Sequence, residues 1–147
     1  MKSKILILED SNTRIKDIEP YFQSEQCEIV WKTSVKLFIT ALEESIQEGS
    51  CKLVIFDHDL GLADPNMEPC GLIAFDPDGL TGADAADMSP FLPCPAIIWS
   101  WNDSGALNIR TKLKNKCKDV HIVPFNKMNI VWKMRELLTK DNQNGKI

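Results

Sequence analysis

Five short apolar runs, each followed by an amphipathic stretch, leave this chain very few folds to adopt. Ile5-Leu6-Ile7-Leu8, Glu28-Ile29-Val30-Trp31, Leu53-Val54-Ile55-Phe56, Ala96-Ile97-Ile98-Trp99 and Val120-His121-Ile122-Val123 have the length and character of buried strands. Between them apolar residues recur at helical spacing. Ile15, Ile18 and Phe22 follow a cap at Ser11 or Asn12, and Pro20 is expected to kink or end that helix. Val35, Phe38, Ile39, Leu42 and Ile46 form a face that stops at Gly49. A short helix is expected over residues 81–88. Ala106, Ile109 and Leu113 mark another, capped by Asn102, Asp103 or Ser104. Met128, Val131, Met134, Leu137 and Leu138 mark the last, with a frayed tail after Lys140. Residues 61–78 carry Gly, Pro, Asn and Asp without a period and read as a long loop, a lid or insert.

Alternating strands and helices of this size predict an α/β domain with a parallel sheet covered on both faces and right-handed crossovers. The common solution is strand order 2-1-3-4-5, which sets the first and third strands side by side at the switch point where ligands bind. A length of 147 residues suits one domain, 1–147. No apolar run approaches the ~20 residues of a membrane span, and Ile5-Leu6-Ile7-Leu8 is too short for a signal-peptide core. The five cysteines are scattered, and none forms a CxxC pair. The expectation is a soluble cytoplasmic protein with reduced thiols.

Charge is distributed unevenly. Residues 53–109 contain no Lys or Arg but nine acids, and the remainder of the chain after Ile109 holds ten Lys or Arg against three acids. An acidic stretch repels a bare phosphate, so phosphate binding there needs a metal ion or cations from elsewhere in the chain. The acids that matter most stand at strand ends. Glu9 and Asp10 follow the first strand, and Asp57, His58 and Asp59 follow the third. The expected strand order brings both groups to one crevice. Carboxylates packed this way cannot all stay ionised without a counter-charge. Carboxylates and water are the ligand set of Mg²⁺ or Mn²⁺, so Glu9, Asp10 and Asp57 are the candidate metal ligands. The plainer alternative is acids that cap helices or face water, and neutralisation by Arg14 or Lys127 would weaken the case for a metal.

The fourth strand ends at Ser100. Ser100 and Asn102 offer hydrogen-bond donors at the same crevice, and Gly105 permits close backbone approach where a helix begins, an arrangement suited to an anion. His58 could carry a proton to or from a leaving oxygen, or be merely hydrogen-bonded. His121, inside a strand, reads as structural. Trp99 and Trp101 flank Ser100, and one of them is expected to face the core while the other is free for packing or for stacking on a base. Arg110, Lys112, Lys114, Lys116 and Lys118 read as a solvated face or as a patch attracting a nucleotide.

In its acidic pair, its Asp after the third strand and its Ser100, the chain resembles response-regulator receiver domains, which implies a flavodoxin-like fold. Receivers place a Lys before the Pro that follows the fifth strand. Here Val123 stands there, in Val123-Pro124-Phe125, and Lys127 lies further on. Asp57-His58-Asp59-Leu60-Gly61, the Ser100-x-Asn102-x-x-Gly105-Ala106-x-Asn108 run, Val123-Pro124-Phe125 and Arg14 together resemble a narrower group, the cyclic-phosphate processing receiver domains. That resemblance implies catalytic roles for His58, Asp59, Ser100 and Asn102, and ligand contacts from Gly105, Asn108 and Arg14. It implies metal-dependent hydrolysis of a cyclic phosphate on a nucleotide or RNA end, with Mg²⁺ or Mn²⁺ as cofactor. Neither extensive nucleic-acid binding nor a membrane role is expected. The alternatives are a signalling receiver that accepts phosphate on Asp57, and a non-catalytic module that binds a nucleotide or a partner protein.

Overall fold

A computed structural model describes residues 2–60, 76 and 78–144, with side chains described through Thr139. The elements follow in the order β1 (Ser3–Leu8), α1 (Asn12–Phe22), β2 (Cys27–Lys32), α2 (Val35–Glu48), β3 (Cys51–Phe56), α3 (Gly82–Met88), β4 (Ala96–Ile98), α4 (Asp103–Leu113), β5 (Val120–Ile122) and α5 (Lys127–Asn144). All strand pairs are parallel and the sheet order is β2-β1-β3-β4-β5, as the alternation predicts. The fold is flavodoxin-like.

Side-chain alternation along the strands divides the core into two halves. Leu6, Leu8, Val54, Phe56, Ala96 and Ile98 face α2, α3 and α4, which contribute Val35, Phe38, Leu42, Ala86, Ile109 and Leu113. Ile5, Ile7, Leu53, Ile55 and Ile97 point the other way, to Ile15, Ile18 and Phe22 of α1 and Ile130, Met134 and Leu137 of α5. Strands buried on both faces explain why their sequences are continuously apolar.

Several local expectations need correction. Pro20 does not end α1: the helix continues to Phe22, which is buried, and Gln23 N–H closes the end on the Glu19 carbonyl. A proline in the last turn forfeits one intrahelical hydrogen bond, and burial of Phe22 offsets that loss. The strand runs read through Trp99 and Val123 stop in regular form at Ile98 and Ile122, although the Trp99 and Val123 N–H groups still donate to the Phe56 and Ile98 carbonyls. Helix α5 runs to Asn144, and the rest of the tail expected to fray after Lys140 lies outside the described residues. The lid expected over 61–78 lies outside the described residues except for Asp76 and Asp78.

Among the described residues, no helix is long and apolar enough to cross a membrane. Cys51 Sγ and Cys94 Sγ lie 3.5 Å apart without a disulfide, and Cys27 and Cys117 are likewise in no disulfide among the described residues.

Candidate functional site

The sheet register delivers the acids to one place. Leu8 pairs with Phe56, and the Asp57 N–H donates to the Leu8 carbonyl at 3.0 Å. The residues just beyond the two strands, Glu9-Asp10 and Asp57, therefore emerge together. Glu9, Asp10 and Asp57 are all buried, and one carboxylate oxygen from each lies within 4.8 Å of the others. β4 adds the third wall: Trp99 N–H donates to the Phe56 carbonyl, which places Ser100 beside Asp57.

Each acid is held by a specific set of donors. Glu9 Oε1 accepts from the Asp10 N–H at 3.0 Å, the Ser11 N–H at 3.1 Å and Arg14 Nη1 at 3.0 Å. Trp31 Nε1 donates to the Glu9 carbonyl at 2.6 Å and fixes the backbone there. Asp57 Oδ1 accepts from the His58 N–H at 2.8 Å, and Oδ2 accepts from Arg14 Nη1 at 3.2 Å. The Ser100 side chain stands beside Asp57 and favours its ionised form. Arg14 comes from the first turn of α1, where Ser11 accepts its backbone N–H. Ser11 as cap thus aims the guanidinium at both carboxylates.

The electrostatic balance is uneven. Burial, the dominant cause, pushes Asp57 up to about 6; Arg14 opposes the rise and Asp10 adds to it. Burial also raises Glu9 well above the usual carboxylate range, helped by repulsion from Asp57. Arg14 does neutralise part of the cluster, as the sequence allowed, but it is one cation against three acids. Lys127 points elsewhere, with its Nζ 5.7 Å from the centroid of the Tyr21 ring. Val123, in the place where receivers carry Lys, is buried among apolar side chains. The donor set of three clustered oxygens, still short of positive charge with Arg14 in place, fits a hard divalent cation.

A second cluster adjoins the first. His58 Nδ1 lies 2.7 Å from Asp59 Oδ1, and Asn102 Nδ2 donates to the same oxygen at 3.3 Å. Asn102 Oδ1 accepts the Gly105 N–H at 2.8 Å as the cap of α4, so of the three candidate caps Asn102 serves. The Asn102 N–H donates to Ser100 Oγ at 3.2 Å and links the two clusters. Gly105 has a steric reason to be glycine: a Cβ there would stand 2.4 Å from His58 Cγ. The expected contact role of Asn108 is not visible. It is exposed on α4, and among the described residues no hydrogen bond joins it to the site.

Some contributors escaped the sequence reading. Gly82 donates its N–H to the His58 carbonyl at 2.9 Å, and a Cβ there would sit 2.0 Å from the Asp57 carbonyl oxygen. Its signal is a glycine in the first turn of a helix, where helix geometry alone gives no reason for one. Asp76 is buried and accepts from the N–H groups of Val35, Asp78 and Leu80. Phe125 lies beneath the Arg14 guanidinium, 4.2 Å from ring centroid to Cζ. Only its place in the Val123-Pro124-Phe125 run marked it.

Comparison with solved structures agrees with the fold. The chain is similar to the signal receiver domain of a protein named as a Luxo repressor from Vibrio parahaemolyticus, with 16% identity, 99% of this chain and 96% of that one covered, and a TM-score of 0.53. It is similar to the signal receiver domain of a modulated diguanylate cyclase from Desulfovibrio desulfuricans G20, with 10% identity, 98% and 99% coverage and a TM-score of 0.53. It also matches NtrX from Brucella abortus in complex with ADP, at 17% identity and a TM-score of 0.56, covering 99% of this chain and 29% of that one. The chain is thus a receiver-like domain in fold. No protein-family model and no curated protein matches it.

Proposed function

We propose that this domain processes a cyclic phosphate ester on a nucleotide or RNA end, at the acidic cluster and with a divalent cation. The observation that carries the reading is the His58–Asp59–Asn102 cluster, linked to Asp57 through Ser100, together with Val123 at the usual Lys position. Glu9, Asp10 and Asp57 would hold Mg²⁺ or Mn²⁺, which supplies Lewis-acid polarisation of a phosphoryl oxygen. Arg14 and the Ser100 hydroxyl would donate to the remaining phosphoryl oxygens. With Nδ1 engaged by Asp59, His58 keeps Nε2 for proton transfer. In hydrolysis, a water oxygen bonds to phosphorus, one ester P–O bond breaks, the leaving oxygen receives a proton from His58 Nε2, and the proton given up by the water restores His58. Gly105, by admitting the imidazole against its backbone, and Asn102, by holding Asp59, position that histidine. A reducing compartment such as the cytoplasm suits both this substrate class and the free thiols.

The test is incubation with a panel of cyclic phosphates in Mg²⁺ or Mn²⁺. Metal-dependent ring opening, lost in Asp57→Asn and reduced about 100-fold or more in His58→Ala, is expected. No product from any member of the panel defeats the reading for those substrates.

A second reading is phosphoryl acceptance on Asp57, as in a signalling receiver. The similarity to signal receiver domains favours it more directly than it favours ester hydrolysis, and Asp57 stands at the end of β3 with Ser100 beside it. It predicts a covalent mass increase with acetyl phosphate, abolished by Asp57→Asn. The buried Val123 in place of Lys counts against it.

A further inference from the structure

We propose that Trp101 is a stacking platform for the base of the nucleotide whose phosphate occupies the acidic site, so that the ligand is a nucleoside cyclic phosphate and not a base-free ester. This rests on the phosphate-site reading above and specifies its ligand.

Three aromatic rings run from core to surface. Trp99, 3% exposed, stacks on Phe125 at 4.8 Å with an interplanar angle of 14°. Phe125 in turn meets Trp101 at 4.2 Å and 31°. Trp101 is 68% exposed. Of the two tryptophans flanking Ser100, therefore, one is core and the other presents its indole to solvent from a packed support.

The place of that ring matters more than its exposure. Trp101 lies between Ser100, which β4 places beside Asp57, and Asn102, which bonds to Asp59, and adjacent Cα atoms are about 3.8 Å apart. The Phe125 ring that supports it also carries the Arg14 guanidinium, whose Nη1 pairs with Glu9 and Asp57. Ring and anion site are thus fixed relative to each other through Phe125, within the span of one nucleotide. The residues that follow, Asn102, Asp103 and Ser104, are polar, so along the chain Trp101 is the aromatic residue between the side chains that flank Asp57 and Asp59. An exposed π-face beside a phosphate-binding site is an arrangement that takes a base, with little preference among bases because each has a π-face.

Isothermal titration calorimetry in Mg²⁺ with adenosine 2′,3′-cyclic phosphate and with glycerol 1,2-cyclic phosphate tests this, using wild type, Trp101→Ala and Trp101→Phe. The expected result is a loss of about tenfold or more in affinity for the adenosine ligand in Trp101→Ala, most of it restored in Trp101→Phe. The glycerol ligand should bind all three proteins equally. If the wild type binds the glycerol ligand but Trp101→Ala weakens both ligands alike, or neither, stacking is overturned and the phosphate site stands. If the wild type binds neither ligand, both readings fall.

Discussion

Asp57 concentrates the conflict that defines the site. It is buried beside two other acids, and burial raises its carboxyl to about 6, so at neutral pH its ionised form opposes folding of the metal-free chain. Asp57→Asn keeps an acceptor for the His58 N–H and removes the charge. In EDTA near neutral pH the variant should melt about 2–5 °C above the wild type. Millimolar Mg²⁺ should raise the wild-type midpoint and leave that of the variant unchanged, because a ligand that binds only the folded state stabilises it. Differential scanning calorimetry reads both effects, and a variant that melts lower in EDTA would mean that the Arg14 pairing outweighs the cost of burial. The residues at stake were legible because they stand directly after apolar runs. Gly82 was not, because its purpose is space for the Asp57 carbonyl, contributed by a segment well before it in the chain. Asn108, read from its place in the same run as Asn102 and Gly105, is exposed on α4.

At the level of elements, strands and helices could be read because each amphipathic period must match a buried face, and α2 ends at Gly49 and α4 begins at Asn102 where the sequence marked a stop and a cap. Contacts between elements distant in sequence could not be read. Asp76 shows why. Its Oδ2 accepts the Val35 N–H at 2.7 Å across 41 residues, at the first turn of α2, while Oδ1 accepts from Asp78 and Leu80. One buried carboxylate thereby satisfies N–H groups left open at a helix start and ties the segment before α3 to α2. In sequence it is one of nine acids in a stretch without Lys or Arg, and nothing local sets it apart from the rest. Asp76→Ala leaves these donors without their partner and should cost about 1–3 kcal/mol in urea unfolding. A cost below about 0.5 kcal/mol would show that water replaces the carboxylate there. Asp84 is a useful control, since it caps its own helix at Thr81 and Asp84→Ala should cost about 1 kcal/mol.

For the molecule as a whole, the acidic cluster couples stability to pH and to divalent cations together. Glu9 and Asp57 both have folded-state pKa values above those of the unfolded chain, Asp57 at about 6 against an ordinary value of 3.8. Between roughly pH 4 and pH 6 the folded chain therefore holds protons that the unfolded chain has released. Stability changes with pH in proportion to protons bound by the unfolded state minus those bound by the folded state, and that difference is negative here. The contribution of this cluster to stability consequently falls as pH rises through that window, and the penalty is complete above it. Glu48 and Asp87 are shifted downward by Lys4 and Lys112, but these pairs sit on the surface and oppose the trend only weakly. A divalent cation requires the ionised carboxylates, so its binding strengthens as pH rises through about 6. Thermal unfolding at about pH 5 and about pH 7.5, each with EDTA or with Mg²⁺, should then show a crossing. In EDTA the protein should be at least as stable at the lower pH, and in Mg²⁺ it should be more stable at the higher one. An equal Mg²⁺ increment at both pH values would mean that the cation binds somewhere other than Glu9, Asp10 and Asp57. A steady gain in EDTA from the lower to the higher pH would mean that Arg14 holds both partner acids ionised throughout, leaving no deficit of positive charge for a metal to fill.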